Sequence, residues 1–133
     1  MSGPLLDRID IGVEVPALAS EAIALGAIVA DAQAKGATSN EVRDEVSAAR
    51  RRQLVRQGKP NARLAPREIE ANCRPDAAGA ALLAHAMARL SLSARAYHRI
   101  LKVARTIADL ADANAIAGPH VAEAVAYRRF DRL

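Results

Sequence analysis

Tryptophan is absent from this sequence, and aromatic residues make up only 2% of its 133 positions. A chain so poor in large rings is badly suited to stacking bases of single-stranded nucleic acid. Its single cysteine, Cys73, excludes an internal disulfide and any zinc cluster built on cysteines. The three histidines, His85, His98 and His120, lack metal-ligand spacing and a carboxylate at motif distance. No Gly-rich phosphate loop is present, and neither is a Ser/His/Asp signature or a close pair of carboxylates in an apolar setting. An apolar run long enough to cross a membrane is also missing, as is a signal peptide, so the expected location is cytoplasmic, with no membrane partner.

Alanine is abundant, and with leucine it favours helix over strand. The expected fold is mainly α, with thin, alanine-lined helix contacts. Net charge is +4 and unevenly spread. Residues 1–47 hold three bases against eight acids, which is −5, and the remainder holds sixteen against seven, which is +9. A basic C-terminal part suits an anionic partner, either nucleic acid or nucleotide phosphate, although solvated helix faces would also account for it.

The clearest helix is Ser91 to Asp112. At about 100° per residue, Tyr97, Ile100, Leu101, Ala104, Ile107, Ala108 and Ala111 share one face. Arg95, Arg99, Lys102, Thr106 and Asp109 fall opposite and are expected to face solvent, with Ser93 as the N-cap. Upstream, Thr38 and Glu41 have capping-box spacing. The helix they open has a narrow stripe of Val42, Val46 and Ala49, acids early, and Arg50, Arg51, Arg52 and Arg56 late, the order the helix dipole favours. A turn at Gly58–Asn61 follows, then a short helix from Pro66 through Asn72. Another helix runs from Pro75-Asp76 to about Leu90, with Ala80, Leu83, Met87 and Leu90 on one side. The last one starts at Pro119 and runs to about Arg129, with Ala122, Val125 and Ala126 as its buried side.

Ahead of these, Ile9, Ile11, Val13 and Val15 alternate with polar residues or glycine, a strand pattern stopped by Pro16. A lone strand needs a sheet, which is expected in a part of the protein outside this sequence. Residues 17–36 are expected to be helical.

Two arginines stand in suggestive settings. Arg8 sits where a turn leads into that strand, and Arg95 lies in the first turn of the long helix. Either could be an ordinary ion-pair partner.

The segments SGPLLDRIDIGVEVP, NARL, LSLSARAYHRILKVARTIADLA and HVAEAVAYRRFDR resemble the C-terminal part of the magnesium-chelatase-like AAA+ ATPases, nearest their competence (ComM/YifB) group. That group often has His where this chain has Gly12, and residues 17–36 match it loosely.

The resemblance implies a helical lid bundle with one N-terminal β-strand left over from the ATPase core. Residues 1–16 would end that core, 17–37 would be a linker, and 38–133 would be the lid. Walker A and Walker B motifs would lie upstream. The whole protein would be a hexameric ring using ATP and Mg, its partners being its own core, neighbouring subunits and DNA. Arg8 matches the arginine finger that reaches a neighbour's ATP, and Arg95 matches the sensor 2 residue. With arginines but no phosphate cradle, this chain by itself would neither hydrolyse ATP nor hold it tightly. Two other readings are the ATPase subunit of a true magnesium chelatase and a small basic DNA-binding domain. Helix-turn-helix readout fits poorly, because the joint at Leu90–Ser93 has no glycine and the next helix buries a wide apolar face.

Overall fold

A computed structural model describes residues 8–14 and 37–128. The expected helix over residues 17–36 lies outside the described residues. Within them the chain is helical: α1 (Ser39–Gln57), a 3₁₀ turn (Asn61–Arg63), α2 (Pro66–Asn72), α3 (Ala77–Leu90), α4 (Ala94–Leu110) and α5 (Gly118–Ala126). The mainly α expectation is borne out. None of the helices is long and apolar enough to cross a membrane, among the described residues.

Local chemistry accounts for the helix starts. Thr38 and Glu41 form the expected reciprocal box, each side chain accepting the other's backbone N–H at 3.1 and 2.9 Å. Asp76 caps α3 by accepting from Gly79 N–H at 2.7 Å, and Ser93 caps α4 by accepting from Ala96 N–H at 3.2 Å. At α5 the cap comes from His120, whose Nδ1 accepts from Ala117 N–H at 2.9 Å. The α3–α4 joint dispenses with glycine because Ser91 itself adopts the left-handed conformation, at φ 50°.

The core is a cage of α3, α4 and α5 closed from below by α2. Leu83, Ile100, Leu101, Ile116 and Val121 are its largest apolar members, and Ala104, Ala108 and Ala124 let the helices approach closely. Asp76 N–H donates to the Ile116 carbonyl at 2.9 Å, so the start of α3 is tied to the approach to α5. At that crossing Gly79 comes so near that a Cβ would stand 3.1 Å from the Ile116 carbonyl oxygen.

Several expected faces turn out rotated. On α5 the buried residues are Val121 and Ala124, while Ala122 and Ala126 are exposed and Val125 is half-buried. On α3 Gly79, Leu83 and Ala86 are buried and Ala80 is exposed. On α4 Ile100, Leu101, Ala104 and Ala108 are buried as expected, but Ala111 is exposed, and Arg105 and Asp109 lie inside. On α4 and α5 the reason is that each helix packs against more than one other, so its buried arc is wider than one apolar stripe.

The second cover on α4 is α1, and its docking is mostly polar. Only Ala49 and Gln53 of α1 are buried, while Val42 and Val46 are exposed. Holding α1 in place is Asp109, 1% exposed in the side of α4 expected to face solvent. Its carboxylate accepts two bonds from Arg56, at 2.9 and 3.2 Å, and one from Asn61 at 3.0 Å. Arg105 lies 3.2 Å from the same carboxylate and donates to the carbonyls of Ala113 and Asn114, closing the loop after α4. Burial pushes the Arg105 guanidinium below its ordinary value, and the neighbouring Asp109 charge opposes that shift. Arg52 donates to the Asp109 carbonyl and pairs with Asp112 at 2.9 Å. The late arginines Arg52 and Arg56 are therefore clamps across the helix interface rather than free charges.

Two outcomes follow from this packing. Asp109→Ala strands Arg105 and Arg56 without their buried counter-charge and should cost about 3–5 kcal/mol in urea unfolding. A loss under about 1 kcal/mol would show that α1 is held by something else. Cys73 is wholly buried, and burial pushes its thiol up to about 11. At pH 8 its reaction with a disulfide reagent should be about a hundredfold slower in the native chain than in the urea-unfolded one. Equal rates would contradict the packing around α2.

Candidate functional site: the arginines at the head of α4

The first turns of α4 carry Arg95, His98, Arg99 and Lys102 along one edge. These four line a cavity of about 370 Å³ with Leu64, Pro66 and Ile69. The apolar floor comes from the loop before α2 and from α2 itself, and the basic side chains stand at its edge. Arg95 is exposed, and its guanidinium has no hydrogen-bond or ion-pair partner among the described residues. Arg95 also projects from the end of α4 where backbone N–H groups are not all used, which adds positive potential.

Arg99 behaves differently. Expected on the solvated side, it is half-buried, and its guanidinium binds the Asp10 carboxylate. It also approaches the carbonyl oxygen of Arg8 at 3.4 Å. Its partner is the N-terminal segment, which lies against the helical domain and could not be paired with α4 from periodicity alone.

That segment, residues 8–14, was expected to be a strand. It runs without a strand ladder among the described residues, and Val15 lies outside them. Two of its backbone groups bond to the turn after α5. Gly12 N–H donates to the Tyr127 carbonyl at 2.8 Å, and Arg128 donates to the Ile9 carbonyl at 3.0 Å. Ile9, Ile11 and Val13 remain exposed. Arg8 sits at the turn that opens the segment; its side chain is exposed and has no partner among the described residues.

The structure thus brings the turn bearing Arg8 into contact with the helix bearing Arg95, through Arg99. Among the described residues neither guanidinium has a partner, and an unengaged guanidinium can meet phosphate oxygens bidentately. Among the described residues no group of three His, Cys, Asp or Glu side chains is placed to hold a metal ion. Sequence reasoning missed Arg99 and Asp10 as a pair, and Arg128 as a tether. The available signal was the acid–base complementarity of DRID with the basic edge of α4, which many surface pairs would mimic.

The bundle of helices is the fold expected of an AAA+ C-terminal lid. Residues 36–128 match the family described as magnesium chelatase, subunit ChlI C-terminal, and the chain belongs to that family. It is 45% identical over its whole length to the competence protein ComM of Haemophilus influenzae. Proteins named YifB are similar to the same extent, at 44% in Salmonella typhimurium and 41% in Escherichia coli, again over all of this chain. In each case the chain spans about a quarter of the relative's length, 25%. The resemblance to magnesium-chelatase-like proteins near the ComM group is borne out.

Proposed function

We propose that this chain is the lid of a ring-forming AAA+ ATPase of the ComM type, and that Arg8 and Arg95 are its contributions to ATP hydrolysis. Arg95 acts as the sensor 2 arginine on a nucleotide phosphate, and Arg8 acts as a finger on the nucleotide of the neighbouring subunit. The observation that carries the reading is the pair of exposed guanidiniums without a partner among the described residues, one on α4 and one on the segment fastened to it. The residues fit a nucleotide phosphate in kind: Arg95, with His98 and Lys102 beside it, offers donors at an open cavity. Mg and the rest of the triphosphate cradle are supplied by the ATPase core upstream. Bound ATP with Mg provides the phosphoryl group and the metal's charge neutralisation.

The role of the chain's own residues is electrostatic. A guanidinium held in place before reaction stabilises charge that grows on the transferring phosphoryl group and its leaving oxygen. Such a contact matters more in the transition state than in the ground state, so it governs turnover more than binding. The motor's work is remodelling of DNA in transformation or recombination, in the cytoplasm. The exposed Arg50 and Arg51 on α1 and the basic balance of the C-terminal part support an anionic track.

In the full-length protein, Arg8→Ala and Arg95→Ala should each leave ATP binding largely intact. Each should slow hydrolysis by about 10³- to 10⁵-fold, the range typical of an arginine finger. Mixing Arg8→Ala subunits with subunits dead in Walker A should restore part of the activity, because some interfaces then join an intact finger to an intact site. Normal hydrolysis in both single variants would remove the assignment.

A further inference from the structure

A second cavity, of about 620 Å³, shares no residue with the one beside Arg95. It lies where Arg51, Arg52, Val55 and Arg56, on one face of α1, stand opposite Arg105 and Asp109 of α4. Four guanidiniums thus line it against one carboxylate. Counting Asp112, the partner of Arg52, still leaves two positive charges in excess. Part of the charge is committed, because Arg56 and Arg105 are sunk against Asp109. Arg52 uses Nε on Asp112 and Nη1 on the Asp109 carbonyl. Its Nη2 has no partner among the described residues, and its side chain is 35% exposed. Arg51 is exposed, and its guanidinium has no partner among the described residues either. Two neighbouring arginines therefore offer donors at one open cleft. Arg52 is already immobilised by its two anchors, so an anion that meets it orders little that is not ordered beforehand.

We propose that this cleft is a contact for the phosphate backbone of duplex DNA, with Arg51 and the unused edge of Arg52 as the donors. Excess positive charge selects an anion, and the planar guanidinium fork matches phosphate oxygens. No aromatic ring lines the cleft, so an unstacked base finds no platform there, which disfavours a single strand. Ala48 on one wall and Ala113 on the other leave room for a bulky backbone. Contacts of this kind position a duplex without reading its sequence. The inference rests on the reading of a motor that works on DNA, and it assigns part of the anionic track to one face of α1.

The test uses the full-length protein and a fluorescent duplex, with binding followed by anisotropy over a series of KCl concentrations. Arg51→Ala should weaken binding about tenfold, the scale of one lost hydrogen bond to a charged group, and equally for unrelated sequences. It should also lower the slope of log K against log salt by about 1 for each subunit that touches the duplex. Arg51→Lys keeps the charge and should keep that slope. Arg43→Glu changes the charge of α1 as much as Arg51→Glu does, but outside the cleft. It should bind within about twofold of wild type, since distant exposed charges are screened. Equal affinities for Arg51→Glu and Arg43→Glu would overturn the proposal. So would an Arg51→Ala loss accompanied by a raised KM for ATP, which would give the cleft to a nucleotide. Failure of Arg51→Ala to assemble in sedimentation would overturn it too, by making the cleft a subunit interface. If the wild-type protein binds no duplex at all, the DNA reading itself fails, and the proposal falls with it.

Discussion

A single buried carboxylate, Asp109, determines how the long helices meet. It lies where an apolar side chain would be the ordinary choice, and it is surrounded by Arg56, Arg105 and Asn61. Buried charge of this kind is weak evidence for stability, since desolvation offsets much of the attraction. Its value here is geometric. The bidentate bond from Arg56 and the two carbonyl bonds from Arg105 admit one register of α1 on α4 and one path for the loop after α4. With α1 so placed, the 3₁₀ turn at Asn61 and the start of α2 follow, and these supply the floor of the cavity beside Arg95.

The same chemistry recurs at the other end of α4 with a different purpose. Around Asp109 the arginines are neutralised and sunk into an interface. Around Arg95 they stand at a rim, and among the described residues Arg99 alone is matched, by Asp10 from outside the helical bundle. Guanidinium groups thus close a loop from Arg105 and hold Asp10 from Arg99, while Arg95 has no partner among the described residues.

Much of the helical plan was legible because it is written in local signals. The Thr38–Glu41 box, the Ser93 cap and the apolar spacing of Ile100, Leu101, Ala104 and Ala108 all work within one or two turns. What escaped was set by contacts distant in sequence. Asp109 belongs to a polar face by periodicity and becomes buried only because α1 arrives with Arg52 and Arg56. The α5 face is displaced because α3 and α4 both pack on it, which a short alanine-rich helix cannot announce. Arg8 and Arg95 were singled out through family resemblance. Arg99 was not, because the strand pattern of residues 9–15 pointed to a missing sheet rather than to α4.

The central claim of the proposed function is that Arg8 reaches a neighbouring subunit's nucleotide. A structure of the full-length ring bound to Mg-ADP with a planar γ-phosphate mimic examines this directly. The account requires the Arg8 guanidinium within hydrogen-bonding distance, about 3 Å, of the mimic in the adjacent subunit. An Arg8 directed to solvent, or to the nucleotide of its own subunit, would contradict it.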